Sequence, residues 1–420
     1  MTGTEFRGGW MLKAAGSLLG LGLALILLPV EARAELETAV EILRQAGLGE
    51  EEPDNQENEP AAARWYLEAA ERGQAIAQFG LANRYRDGRG VPQDDKAALK
   101  WYRAAAEQGV TPAQFNLGWM YETGRGGPAD EAEAVRWYRL AAEGGDATAQ
   151  ANLGAMLLDG RGAPPDPAKA LKWLRPAAES GLVTAQANLG RCYDQGLGVE
   201  PDPREAARWY QPAADAGNSM AQNNLGLLYL NGLGVERNYR QAFKLFRRAA
   251  IQGEIEAHHN LGIMFRDGLG VKPNLPLAKA FFQKAAEGGL ASSQICLGVL
   301  HENGSGTAQD YQAALKWYRL AAAQKEPQAY NHLGLLYEFG RGVPLDPGEA
   351  ARWYRYGADL GHLAASHNLG RLYETGQGLP QDYHLAARWY ARAAEAGNGA
   401  ARRDLERLVK AGLVREGEWR

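Results

Sequence analysis

From residue 77 to residue 400 the chain repeats one pattern of small, apolar and polar positions every 36 residues. Its frames open at Ala77, Ala113, Ala149, Ala185, Ala221, Ala257, Ser293, Ala329 and Ala365. A broken tenth frame begins at Ala401, and residues 61–76 carry the second half of a repeat. In six of the nine frames a leucine and a tyrosine stand four apart, as Leu117 and Tyr121 do, on one face of a helix. The glycine between them, Gly118 in that copy, lets a neighbouring helix come close despite a propensity cost of about 1 kcal/mol. This first helix, helix A, ends at a Gly-x-Gly present in every repeat, from Gly88 and Gly90 to Gly376 and Gly378. Glycine at that place takes the left-handed conformation that closes a helix. Helix B then opens at Asp94, Asp130, Asp166, Asp202, Asn238, Asn274, Asp310, Asp346 or Asp382, residue types that cap orphan N–H groups. Pro167, Pro203 and Pro347 follow at N1, where the missing N–H is harmless. Seven residues after the cap comes an aromatic pair such as Trp101-Tyr102, softened to Trp173-Leu174, Leu245-Phe246 and Phe281-Phe282 in three repeats. Two alanines and usually a glycine complete the unit. Large rings set against small alanines predict an interlocking core with the tryptophans in it. Pro176 and Pro212 fall inside helix B of the third and fourth repeats and are expected to kink it.

No such unit buries its apolar faces alone, so the copies must stack, with atypical units as caps. The prediction is an all-α solenoid over residues 61–400, made of a half-repeat at 61–76 and nine repeats at 77–400, capped by a helix and tail at 401–420. Residues 1–34 read as a signal peptide: Arg7 and Lys13, an apolar run at 18–28 too short to span a bilayer, and the small-x-small site Ala32-Arg33-Ala34. Residues 35–60 read as a short helix followed by an acidic linker. Export is the expectation, to the periplasm of a Gram-negative bacterium. A secreted form, an uncleaved N-terminal anchor and the endoplasmic-reticulum lumen are the alternatives. No membrane span remains after cleavage.

Composition changes this picture little. Lys+Arg 46 against Asp+Glu 50 gives a net charge of −4, which excludes a general nucleic-acid binder. Cys192 and Cys296 lie three repeats apart, on the order of 25 Å for stacked helices, beyond the roughly 7 Å reach of a disulfide. Two free thiols are expected.

The pattern Ala-Gln-x-Asn-Leu-Gly-x-x-Tyr, Gly-x-Gly-Val, Asp, Ala-x-x-Trp-Tyr-x-x-Ala-Ala resembles the Sel-1-like repeat family, cousins of the tetratricopeptide repeat, over about residues 58–408. The resemblance implies a right-handed α/α superhelical solenoid and an adaptor role. Exported bacterial members are associated with envelope complexes, exopolysaccharide assembly, signalling control and host contact. A cysteine-rich branch is described as penicillin-binding or β-lactamase-like. That branch staples each repeat with a disulfide, and two cysteines cannot do so here.

Catalytic motifs do not emerge from the residues. No Ser-x-x-Lys, Gly-x-Ser-x-Gly, Gly-Lys or His-Glu-x-x-His occurs. His259, His332 and His367 fall near one helix A position in three different repeats. Neither a metal nor a cofactor is implied. One constellation stands out: the residue before Leu-Gly is Asn116, Asn152, Asn188, Asn224, Asn260 and Asn368 in six repeats, although asparagine is a poor helix former. Either these amides grip the backbone of an extended peptide on a concave wall, or they satisfy groups of the adjacent repeat. In tetratricopeptide proteins the matching position resembles this one and lines the groove. Three residues on lie Trp119, Arg191, Leu227, Ile263 and Arg371, and one turn further Leu158 and Leu230. Together these residues form the candidate partner-binding face. The expected occupant is a protein or peptide, and the expected role a non-enzymatic scaffold. A cell-wall-acting enzyme and a component of exopolysaccharide assembly are the competing readings.

Overall fold

The computed structural model describes residues 59–418, all helix, turn and loop, with twenty α-helices and no strand among them. The signal peptide and nearly all of the expected linker lie outside the described residues. The chain divides into two compact bodies, Met1–Pro165 and Asp166–Arg420. The first holds α1 (Glu59–Glu71), α2 (Ala75–Asp87), α3 (Asp95–Glu107), α4 (Thr111–Thr123), α5 (Glu131–Glu143) and α6 (Ala147–Asp159). The second opens with α7 (Pro167–Glu179), α8 (Val183–Gln195), α9 (Pro203–Asp215), α10 (Ser219–Asn231), α11 (Tyr239–Ile251), α12 (Ile255–Asp267) and α13 (Leu275–Glu287). It closes with α14 (Ala291–Asn303), α15 (Tyr311–Ala323), α16 (Pro327–Glu338), α17 (Pro347–Asp359), α18 (Leu363–Thr375), α19 (Tyr383–Glu395) and α20 (Gly399–Lys410). From α2 onward, even-numbered helices are helix A and odd-numbered ones helix B. In each body every helix packs on the one before and the one after it in sequence.

The punctuation expected from sequence is the punctuation found. Each of the nine helix B segments opens at its Asp or Asn, whose side chain accepts from a backbone N–H two or three residues on; Asp94, for example, accepts from Lys96 and Ala97. The first glycine of Gly-x-Gly closes helix A in the left-handed region, as Gly232 does at φ 70°. The second glycine has a further duty. A Cβ on Gly234 would stand 2.3 Å from the Pro203 carbonyl carbon, so only a bare backbone lets this loop seat on the helix B of the preceding repeat. Helices α7 and α9 each run through Pro176 and Pro212 to their ends. Both prolines sit in the last turn, where little helix remains to be redirected.

The aromatic pair divides its labour differently from the expectation. Its second member is the core residue: Tyr102, Tyr138, Tyr210, Tyr318, Tyr354 and Tyr390 are fully buried, as are Phe246, Phe282 and Leu174. The tryptophans are half-buried, apart from Trp137. Adjacent helical residues point about 100° apart, so one of the pair faces inward and the other covers the rim. The basic residue before the tryptophan lies over the ring in several repeats, with Lys100 4.8 Å from the centre of Trp101 and Lys172 4.9 Å from that of Trp173. The inward tyrosine fills the gap left by the Leu-Gly glycine. A Cβ on Gly334 would fall 2.4 Å from the Tyr354 ring. The close approach expected there is that of a ring.

Candidate functional site

All thirteen candidate residues lie on helix A segments, and none is fully exposed. Asn260 is buried, and Asn116, Trp119, Asn152, Leu158, Asn188, Arg191, Asn224, Leu227, Leu230, Ile263, Asn368 and Arg371 are half-buried. The asparagines separate into two groups. Asn260 donates to Asn223 Oδ1 at 2.9 Å, and Asn368 donates to Asn331 Oδ1 at 3.0 Å, each reaching the preceding helix A. Asn224 donates to the Tyr210 hydroxyl at 3.1 Å, and Asn152 bonds the Tyr138 hydroxyl. Asn116 and Asn188 make no side-chain hydrogen bond among the described residues. Four of the six amides therefore join repeats, and two keep their donors and acceptors.

The buried tyrosine hydroxyls reveal an arrangement that the sequence reading missed. Tyr138, Tyr318, Tyr354 and Tyr390 each donate to a carboxylate sixteen residues earlier, at 2.7 Å for Glu122, 2.7 Å for Glu302, 2.6 Å for Glu338 and 2.7 Å for Glu374. Burial beside an anion pushes these phenols well above their ordinary range. An arginine from the next repeat closes each group: Arg161 on Glu122 at 2.8 Å, Arg341 on Glu302 at 3.2 Å, Arg371 on Glu338 at 2.6 Å and Arg407 on Glu374 at 2.6 Å. The signal for this is in the chain. Where the residue sixteen earlier is not acidic, the hydroxyl is lost as well: Leu158 precedes Leu174, Leu230 precedes Phe246, and Arg266 precedes Phe282. Arg86 with Tyr102 is the exception, and there the hydroxyl turns to Asn83 at 2.6 Å. Leu158 and Leu230 thus have a packing reason to be apolar, and Arg371 is engaged by Glu338.

A second missed row is the glutamine of Ala-Gln. Gln78, Gln114, Gln150, Gln186, Gln222 and Gln294 each donate to a carbonyl eight residues back, near the end of the preceding helix B, at 2.9–3.3 Å. They satisfy acceptors that the helix terminus leaves open. The histidines also serve junctions: His259 meets Ser293 Oγ at 2.7 Å, His367 meets Asp404 at 2.8 Å, and His332 stacks on Tyr318 with centroids 4.6 Å apart. Among the described residues no group of three His, Cys, Asp or Glu side chains could hold a metal ion. Cys192 and Cys296 are free, and burial raises the Cys192 thiol to about 11, far from a reactive thiolate.

The row three residues past the asparagines reads Asn83, Trp119 and Ala155 in the first body and Arg191, Leu227, Ile263, Val299, Leu335 and Arg371 in the second, half-buried throughout. Trp119 packs against its neighbours with the Arg125 guanidinium 5.1 Å above its ring, while Leu227 and Ile263 lean on the core at one edge. No described helix is long and apolar enough to cross a membrane.

Comparison with known proteins fits this geometry. The sequence profile described as Sel1 repeat matches ten consecutive segments: 33–74, 75–110, 111–146, 147–182, 183–218, 219–254, 255–290, 291–326, 327–362 and 363–398. None of the curated proteins matches the chain. Among solved structures, c5321, a protective antigen present in uropathogenic Escherichia coli strains and displaying an SLR fold, is 35% identical over 84% of this chain and 83% of its own, with a TM-score of 0.57. A Sel1 repeat protein from Oxalobacter formigenes is 32% identical over 74% of this chain and 90% of its own, with a TM-score of 0.54. With ten consecutive matches and helix pairs packed in series, the chain belongs to the Sel1 repeat family, whose fold suggests a protein-interaction scaffold.

Proposed function

We propose that the protein is a non-enzymatic scaffold of the cell envelope that holds a peptide or protein partner along its helix A face. One observation carries the reading. The positions that carry the fold repeat as glycines, leucines and alanines, whereas the half-buried row three residues past the asparagines differs between repeats, running in the second body from Arg191 through Leu227, Ile263, Val299 and Leu335 to Arg371. A recurring frame that presents an apolar row between two arginines suits an extended partner with apolar side chains. Asn116 and Asn188, whose amides are not used between repeats, provide donor and acceptor pairs for a backbone. Export rests on the signal-like residues 1–34, with cleavage after Ala34 and residence in the periplasm of a Gram-negative bacterium.

Affinity capture from the native envelope, with chain beginning at Glu35 as bait, tests the proposal. A reproducible protein partner should be recovered, and the Asn116→Ala/Asn188→Ala variant should lose it without losing thermal stability. Retention by that variant, or recovery of glycan alone, would sink the helix A reading.

A further inference from the structure

On the outer side of the junction between the seventh and eighth repeats the chain leaves its own pattern at several positions at once. Lys325 stands where the other junctions have glycine, and holds φ at 64°. Tyr330 replaces the Ala-Gln glutamine and takes over its task, donating from its hydroxyl to the Ala322 carbonyl at 2.9 Å. Gly357 replaces an alanine, and a Cβ there would stand 3.0 Å from the Ala365 Cβ and 3.1 Å from the Pro327 carbonyl oxygen, so the glycine lets the flanking helices α16 and α18 come close to α17. At the same junction Tyr330 stacks on Trp353 at 6.0 Å and meets Tyr356 at 5.8 Å. Beside it three large apolar side chains face solvent: Leu320 at 42%, Tyr356 at 57% and Leu360 at 50% exposure. The fifth, sixth and ninth repeats carry Arg248, Lys284 and Arg392 where the seventh and eighth carry Leu320 and Tyr356.

A shallow cleft of about 340 Å³ adjoins Leu320, with Leu315 in its floor and Lys316 and Arg319 at its edge. The charge around the patch is positive. Lys316, Arg319 and Lys325 are exposed; among the nearby acids Glu349 meets Arg352 at 3.0 Å and Asp359 lies 3.9 Å from Arg392, while the half-buried Glu326 beside Lys325 offsets part of the charge. Exposed apolar side chains rimmed by charge mark an interaction surface, and Tyr356 and Arg319 are of the residue types that carry most interface energy. Two copies of this chain joined patch to patch would set like charges against each other, which disfavours a symmetric dimer.

We infer that the outer face formed by α15 and α17 is a second docking site, separate from the helix A face, for a partner segment that presents apolar side chains flanked by Asp or Glu. Leu320, Tyr356 and Leu360 supply the apolar contact, and Lys316, Arg319 and Lys325 select the acidic flanks.

Selection of a displayed short-peptide library on the full described chain tests the site without knowing the partner. Recovered sequences should be rich in Leu, Phe or Trp next to Asp or Glu. The Leu320→Ser/Leu360→Ser variant, altered only at exposed positions outside the ring cluster, should keep its melting temperature and bind the best peptide about tenfold more weakly or worse. Lys316→Glu/Lys325→Glu should reverse the preference for acidic flanks. Asn116→Ala/Asn188→Ala should bind that peptide normally, which separates this site from the helix A face. Failure to enrich any peptide, enrichment of basic flanks, or undiminished binding to the serine variant would each overturn the inference. A concentration-dependent dimer abolished by the serine variant would assign the patch to a second copy instead.

Discussion

Within the second body, successive helix A segments are joined in two different ways. Between α10 and α12 the joint is neutral: Asn260 and Asn223 bond through their buried amides, beside Leu227 and Leu230. From α14 to α20 the joints add an ionic element: Glu302, Glu338 and Glu374 each hold a tyrosine hydroxyl and an arginine of the next repeat, and between α16 and α18 this stands beside the Asn368–Asn331 amide pair. The same backbone geometry is thus met by two chemistries. A buried amide pair needs no counter-charge. A buried carboxylate loses hydration and is stabilised only while its phenol and guanidinium stay in place. The neutral joint should therefore be indifferent to pH and the ionic one should not.

Acidification is expected to have the largest effect. Arg407, with help from Tyr390, holds Glu374 below its ordinary value of 4.5 against the opposing pull of burial. At Glu302 burial acts upward, and the His332 imidazole, the Tyr318 hydroxyl and the Arg341 charge more than reverse it. Asp404 is held down in the same way, its burial outweighed by His367 and Arg407. A carboxylate whose folded value is depressed adds stability above its unfolded value and loses it as pH falls through the folded one. Helices α14, α16, α18 and α20 should therefore lose amide protection on acidification before α10 and α12 do. Asp267 of α12 is also held low, by Arg266, but that pair is half-exposed and lies within one helix, so its protonation opens no joint. Hydrogen exchange followed through the acid limb checks the order, and simultaneous loss in both groups would refute the comparison.

Single substitutions sharpen it. Glu338→Ala leaves the Arg371 guanidinium and the fully buried Tyr354 hydroxyl without their acceptor, and should cost about 3 kcal/mol by urea unfolding. Glu338→Gln keeps an acceptor for the phenol and should recover about half of that loss. Asn260→Ala strands only the Asn223 carbonyl oxygen and should cost about 1.5 kcal/mol, equally at neutral and mildly acidic pH. A larger loss for Asn260→Ala than for Glu338→Ala would invert the ranking of the two joints.

The frame of the repeat was legible because its causes are local. Caps at Asp94 or Asn238 and turns at Gly232 act within a few residues, and a period of 36 repeats them nine times. The joints were less legible because their partners lie far apart in sequence, as Arg341 and Glu302 do at a separation of 39 and Asn260 and Asn223 at 37. No local propensity links such pairs. The apolar stripe from Leu158 to Leu230 invited a ligand, when the loss of a hydroxyl sixteen residues later gives the same leucines a packing role. Trp101 drew attention over Tyr102 by its size, although the smaller ring is the one wholly inside the core.

The smallest expected effect falls inside the ionic half, at the turn between α15 and α16. Lys325 is the one non-glycine with positive φ among the described residues, where Gly289 and Gly361 serve the neighbouring junctions without a Cβ. A left-handed residue with a Cβ costs about 1–2 kcal/mol relative to a conformation it prefers, whereas glycine enters that region freely. Lys325→Gly also gains freedom in the unfolded chain, which offsets part of the relief. The substitution should therefore raise stability by about 1 kcal/mol, read as a higher urea midpoint with an unchanged slope. It should leave the acid sensitivity of α14 to α20 as it was, since no carboxylate of the ionic joints bonds Lys325. The same variant should bind an acidic-flanked peptide more weakly, because it removes a cation from the rim beside Tyr356 and Leu360. Strain retained at a junction that also exposes an apolar patch fits a residue kept for contact at some expense in stability. A variant that is more stable and binds as well as before would show that Lys325 serves neither joint nor patch.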